Sequence, residues 1–113
     1  MTNKNKDYIL VYTSFSAKKE AEAVAEALIE SKKIVCANIR KHTAVYVWKH
    51  KTYKEREFGI FLVTGADNWE AVKEFILAKH SYEAPTIIKI RIEDANDSFK
   101  DWVDENLLTC SSG

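Results

Sequence analysis

His80-Ser81-Tyr82-Glu83-Ala84-Pro85-Thr86-Ile87 gathers an imidazole, a phenol, a carboxylate and the single proline of the chain into one short stretch. Pro85 fixes its own φ and pushes Ala84 toward extended backbone. A helix must end before this point and a strand must begin after it. His80, Tyr82 and Glu83 therefore stand at a stiff corner, at the kind of strand edge where ligands or partner subunits bind. Imidazole, carboxylate and the thiolate of Cys36 are all ligands for soft or borderline divalent metals. His80 and Glu83 are three apart at a helix end, close enough to converge. They make a weak site unless subunits pool their ligands. The competing reading makes His80 a helix-terminal residue favoured by the dipole and Cys36 a small buried residue. Tyr82 either stacks on or hydrogen-bonds a ligand, or it closes a subunit seam. Tyr46, Trp48 and Tyr53 flank one hairpin and suggest an adhesive arm used in assembly. No nucleophile stands beside a base and no glycine-rich loop cradles a phosphate, so the expectation is a protein that is not an enzyme.

The elements that position these residues follow from hydrophobic pattern. Tyr8 to Phe15 is β-branched and aromatic, a strand. Ser16 offers an N-cap, and Ala21, Val24, Ala25, Leu28 and Ile29 then keep helical spacing as far as Ser31-Lys32. Ile34 to Ile39 reads as a strand interrupted by Arg40-Lys41-His42 and resuming from Thr43 to Trp48. Lys49-His50-Lys51 is a hairpin turn, and Phe58 to Thr64 is the third strand. Asp67 and Glu70 form a capping box for a helix whose inner face is Trp69, Val72, Phe75 and Ile76. After the corner, Ile87 to Ile92 alternates with Lys89 and Arg91 outward. A last helix, capped by Asn96 or Asp97, carries Phe99, Trp102, Val103 and Leu107 on one face.

The order β-α-β-β-α-β-α predicts an α+β, ferredoxin-like fold: a four-stranded antiparallel sheet, two helices on one face, a long hairpin and a C-terminal helix. Strands one and three are apolar at nearly every position, a pattern of strands covered on both sides. Two helices cover one face only. The cheapest cover for the other is a second copy of the chain, with Phe61 or Leu62 facing it.

The totals restrict the partners. The 113 residues suit a single domain, with residues 1–7 and 109–113 as disordered tails. Lys plus Arg equals Asp plus Glu at 17 each, so no net charge drives the chain to nucleic acid or to an anionic membrane. The polar start has no apolar signal core, which predicts a cytoplasmic protein with Cys36 and Cys110 unpaired. RNA-recognition motifs share the element order, and Arg56-Glu57-Phe58-Gly59-Ile60-Phe61 partly matches their third strand. Glu57 stands where glycine belongs and Ile60 where a stacking ring belongs, which disfavours RNA.

At the corner the chain resembles the CutA family of divalent-cation-tolerance proteins, whose signature is His-Pro-Tyr-Glu-x-Pro-x-Ile. The resemblance extends to Val11-Tyr12-Thr13, to Cys36-Ala37-Asn38-Ile39, to Tyr46-Val47-Trp48 followed by Lys51, to Glu57, and to Asn96, Phe99 and Trp102. It implies a tight homotrimer similar to PII signalling proteins, with the long hairpin reaching a neighbour. It implies weak binding of Cu²⁺ or another divalent cation, with His80 and Cys36 as proposed ligands joined by Glu83. Tyr82, Glu83, Trp48 and Trp102 would line an inter-subunit cleft, and Tyr46, Trp48, Tyr53 and Phe61 would sit in the trimer interface. A PII-like sensor acting on a partner protein through the hairpin is the alternative. The sequence departs from the family at Ser81 (proline), His50 (glycine), Val63 (lysine) and Ala95 (glycine).

Overall fold

Four strands and three helices form in the expected order, and the sheet runs β2-β3-β1-β4 with every neighbouring pair antiparallel. The computed structural model describes residues 7–107. The elements are β1 (Tyr8–Phe15), α1 (Lys18–Glu30), β2 (Cys36–Trp48), β3 (Lys51–Gly65), α2 (Trp69–Lys79), β4 (Ile87–Ile92) and α3 (Asp97–Asn106). The expectations for residues 1–6 and 108–113, Cys110 included, lie outside the described residues. Asp7 is no loose tail: its carbonyl accepts the Ala66 N–H at 2.9 Å and its carboxylate pairs with Arg91.

One face of the sheet makes the main core. Ile9, Val11 and Phe15 of β1 and Ile60 and Leu62 of β3 pack under Ala21, Val24 and Leu28 of α1 and Val72 and Ile76 of α2. Fully burying each of the Val, Leu, Ile and Phe side chains among these contributes about 1.5–3 kcal/mol. The other face is partly covered by α3. Val103 and Phe99 lie with Tyr8, Val35, Val63 and Cys36 at one end of the sheet. Beyond α3, Tyr12 pairs with Phe61 on one side and Ile88 on the other, and Leu10 pairs with Ile90. Phe61, Ile88 and Ile90 remain exposed there. The third helix thus supplies part of the cover demanded by the two-sided strands and leaves an apolar patch.

Several local expectations need correction. Strand β2 runs unbroken through Arg40-Lys41-His42, because each keeps its ladder partner on β3; charge alone does not end a strand whose backbone is paired. Helix α1 is capped at Ala17 rather than Ser16 and has no side-chain cap. Asp67 lies in a 3₁₀ turn, Ala66–Asn68, and the cap residue of α2 is Asn68. The Asn68 amide is spent instead on Thr64 Oγ1 at 3.1 Å, tying the turn to β3. The alternation of β4 is real, but its polarity is reversed. Lys89 pairs opposite Val11 on the helix-covered side and reaches over the Trp69 ring at 5.4 Å. The isoleucine row, Ile88 and Ile90, faces the open side. As an edge strand, β4 can lay a lysine stem along α2 while its head stays in water.

Candidate functional site

The corner is pinned from three sides. His80 ends α2 with extended backbone. Its Nε2–H donates to the Ser14 carbonyl at 2.6 Å, and its Nδ1 accepts the Tyr82 backbone N–H at 3.1 Å. This network assigns the proton to Nε2. The ring stacks on Phe15 with centroids 4.2 Å apart. Ser81, where the resembled family carries proline, donates its N–H and hydroxyl to the two oxygens of Glu20 at 2.9 and 3.1 Å. A proline could not make the first of these bonds. The departure therefore adds a clamp to α1.

Tyr82 reaches from this corner to β3. Its hydroxyl donates to Glu57 Oε2 at 2.8 Å, and His42 Nε2 lies 3.2 Å from Glu57 Oε1. Glu57 is buried to 8% exposure, so both carboxylate oxygens carry a donor where water is scarce, as a buried charge requires. Burial and the adjacent Glu57 push the Tyr82 phenol well above its ordinary range. Gly59 completes the arrangement. A Cβ there would come within 2.9 Å of His42 Cε1 and 3.2 Å of Tyr12, so only glycine lets the imidazole lie against the strand. The result is a phenol–carboxylate–imidazole chain at the root of the hairpin, on the same face as the open apolar patch. With each carboxylate oxygen tied to one ring, the chain can orient a ligand through the phenol and the imidazole.

The residues expected to ligate metal do not meet within one chain. Cys36 pairs with Val63, which pairs with Leu10, whereas His80 bonds Ser14. Four residues along β1 are about 13 Å, and two strand spacings add about 9.5 Å across the sheet. Burial under α3 raises the Cys36 thiol pKa, which disfavours the thiolate. Glu83 is exposed and takes no part in the network. Among the described residues no three His, Cys, Asp or Glu side chains gather where one ion could be held. The aromatic residues assigned to a cleft are also apart. Trp48 is at the hairpin tip, six residues and about 20 Å beyond His42 on β2. Trp102 is on α3 beside Phe99 and 41% exposed. Tyr46 stacks on Tyr53 at 5.5 Å and donates to Glu55 at 2.7 Å, which with slight burial raises its phenol to about 12. Tyr46, Trp48 and Phe61 are each more than a third exposed.

Sequence reasoning placed Tyr82 at the site but missed His42, and it used Glu57 as a point of family likeness and against RNA binding without placing it at the site. The register would have found both. A two-residue turn at Lys49-His50 sets Trp48 against Lys51, and stepping outward along the ladder puts Tyr46 on Tyr53 and His42 on Glu57.

Comparisons with known proteins identify a family for this fold. The family described as CutA1 divalent ion tolerance protein matches residues 9–106. A divalent-cation tolerance protein CutA of Pyrococcus horikoshii is 40% identical over 97 residues, which span 86% of this chain and 95% of the relative. The crystal structure of CutA1 from Pyrococcus horikoshii superposes with a TM-score of 0.86 at 39% identity, covering 89% of this chain and 99% of that one. A solved structure described as the periplasmic divalent cation tolerance protein CutA from Archaeoglobus fulgidus gives a TM-score of 0.85 at 31% identity, covering 88% and 97%. The described residues contain no helix long and apolar enough to cross a membrane. With a match from the first strand to the last helix, the chain belongs to the CutA1 divalent ion tolerance family.

Proposed function

We propose that the chain acts as a non-enzymatic homotrimer that binds a divalent cation such as Cu²⁺, weakly, or a small ligand, at clefts between subunits. The observation that carries this reading is the open apolar patch of Phe61, Tyr12, Ile88 and Ile90, on the same face as the Glu57–Tyr82–His42 chain. Exposed patches of this kind mark interaction sites. Burying it against other copies brings a neighbour's side chains toward the polar chain at the hairpin root. In that arrangement Trp48 and Trp102 of different copies could line one cleft with Tyr82 and Glu83. His80, Cys36 and Glu83 remain the ligand set to test, pooled between copies. For His80 to ligate, one ring nitrogen must give up its bond to Ser14 or to Tyr82. A cytoplasmic location would keep Cys36 reduced.

The exposed hairpin supports a second reading, in which the trimer is a PII-like sensor whose arm contacts a partner protein. Among the described residues, its Val45 and Val47 are the most exposed of the large hydrophobic side chains.

The mass of the native particle is the first test: three chains of 13.0 kDa are expected, and a stable single chain overturns the reading. Calorimetry with Cu²⁺ on the wild type, His80→Ala and Glu57→Gln is the second. Weaker binding in a variant assigns that residue to the cation site. Identical titrations in all three would remove both residues from it, and a wild type that releases no binding heat favours the sensor.

A further inference from the structure

Helix α1 and the body half of β2 enclose a groove of about 430 Å³. Its floor is apolar. Ala25 and Ile29 contribute one ridge of α1, and Ile39 of β2 lies across from them. Ile29 is 40% exposed, so the floor is open to an occupant. The rim is the adjacent ridge of the helix, Glu22, Glu26 and Glu30. Ile39 packs on the helix-covered core, so the groove lies on the side of the sheet away from Glu57 and Tyr82.

The rim breaks two rules of helix electrostatics. The three glutamates follow one another at spacings of four, so each neighbouring pair sets like charges on one face, about 6 Å apart. The row also runs to the last residue of α1, where the dipole disfavours anions, and the last turn holds no basic residue. Lys32 and Lys33 follow the helix, yet among the described residues no ion pair reaches Glu22, Glu26 or Glu30. A local arrangement that works against its own helix is a mark of a functional site.

An occupant that complements this groove carries several positive charges in a line, with apolar length between them. A single metal ion does not. It needs oxygens within about 2.6 Å of one centre, and among the described residues no three carboxylate, imidazole or thiol groups gather around one point. Three or four methylenes between two nitrogens make four or five single bonds of about 1.5 Å, about 5–6 Å end to end when extended. That is the pitch of the carboxylate row.

We propose that the α1–β2 groove binds a linear aliphatic polyamine, with its ammonium groups along Glu22, Glu26 and Glu30 and its methylenes on Ala25, Ile29 and Ile39. The ammonium groups donate charge-assisted hydrogen bonds to the carboxylates, and the methylenes leave water for the apolar floor. The groove is remote from the Glu57 network, so failure here leaves the homotrimer reading standing.

The test is calorimetry and thermal unfolding of the full chain with spermidine as the probe. Trilysine, of equal charge but different spacing, and Mg²⁺ serve as controls at the same ionic strength. Spermidine is expected to bind the wild type and raise its melting temperature, and both controls to bind roughly tenfold more weakly or not at all. Glu26→Gln should weaken spermidine roughly tenfold. Without ligand it should melt no lower than the wild type, because it removes two like-charge pairs. Ile29→Ser should weaken spermidine roughly threefold and leave the response to Mg²⁺ unchanged. Spermidine binding that is absent, or equal in the wild type and Glu26→Gln, overturns the site. Equal binding of trilysine or Mg²⁺ shows a diffuse counterion effect and overturns the polyamine as occupant. A Glu26→Gln protein that melts lower without ligand would assign the acidic row to the fold instead, and overturns the proposal as well.

Discussion

Strand β3 passes through two regimes. From Phe58 to Gly65 it lies between β1 and β2 beneath two helices, and Ile60 and Leu62 are fully buried. From Lys51 to Glu57 its only ladder partner is β2, and nearly every side chain short of Glu57 is exposed. The backbone pairing is continuous across the boundary; what changes is the apolar surface removed from water. A two-stranded ribbon alone is marginally stable in water. The body is therefore held by its own chain, and the arm depends on what covers it.

Truncation in the two halves should separate them most strongly. Leu62→Ala is expected to cost about 3–4 kcal/mol in urea unfolding, the transfer loss plus the cavity left behind. Val47→Ala should stay within about 0.5 kcal/mol in the dissociated chain, and cost more at concentrations where copies assemble. Equal losses in the dissociated chain would mean that the arm is packed as the body is, and the contrast would be gone.

The two histidines sharpen the same contrast at the boundary. His80→Ala removes a bond to the Ser14 carbonyl, a bond from Tyr82 and the stack on Phe15, at an expected cost of about 2–3 kcal/mol. His42→Ala removes one bond to Glu57 from a half-buried ring and should cost about 1 kcal/mol or less. Thermal unfolding of the two variants decides the order. The reverse order would make the hairpin root, rather than the corner, the structural joint.

How much of this was legible depends on which signals are local. The element order, the apolar cores of β1 and β3 and the corner set by Pro85 all follow from periodicity and from one fixed φ. The unbroken β2 did not, because Arg40, Lys41 and His42 are polar side chains on a paired backbone, and pairing is a property of two strands. The orientation of β4 failed for a related reason. Alternation shows that Ile88 and Ile90 share a face, but not which face holds the helices; the open side accepts isoleucines if another copy covers it. Glu57 and His42 were hidden because they lie fifteen residues apart in sequence. Only the turn at Lys49-His50 brings them opposite one another.

Tyrosine ionisation offers a smaller effect that tests the boundary by pH. Burial and the bond to Asp104 raise the Tyr8 phenol in the body to about 12, and Tyr46 on the arm also rises to about 12, chiefly through Glu55. A phenol with a raised folded pKa contributes stability that is complete below its unfolded value near 10 and is lost as pH climbs through the folded value. Unfolding free energy should therefore decline from about pH 10 to about pH 12. Tyr8→Phe should flatten that decline, since the bond to Asp104 ties α3 to the sheet. Tyr46→Phe should leave it nearly unchanged, since the exposed Glu55 can be solvated instead. If Tyr46→Phe flattens the curve as much, the arm titrates as part of the body.

The smallest effect lies at the tip. Lys49 and His50 hold φ of 50° and 69°, the left-handed pair that a two-residue hairpin turn of type I′ needs and that Asn-Gly supplies with least strain. The ladder from Trp48–Lys51 inward imposes this geometry on residues that disfavour it. Lys49→Asn with His50→Gly should relieve about 1 kcal/mol of strain, partly offset by the greater freedom of glycine in the unfolded chain. The gain should appear as slower amide exchange between Thr43 and Arg56, with the amides around Leu62 unchanged, because the arm opens without the body. Uniform slowing across both halves would show that β3 opens as one cooperative unit, and a tip too coupled to the core to move alone would be a stiff presenter of Val45 and Val47 even before anything covers them.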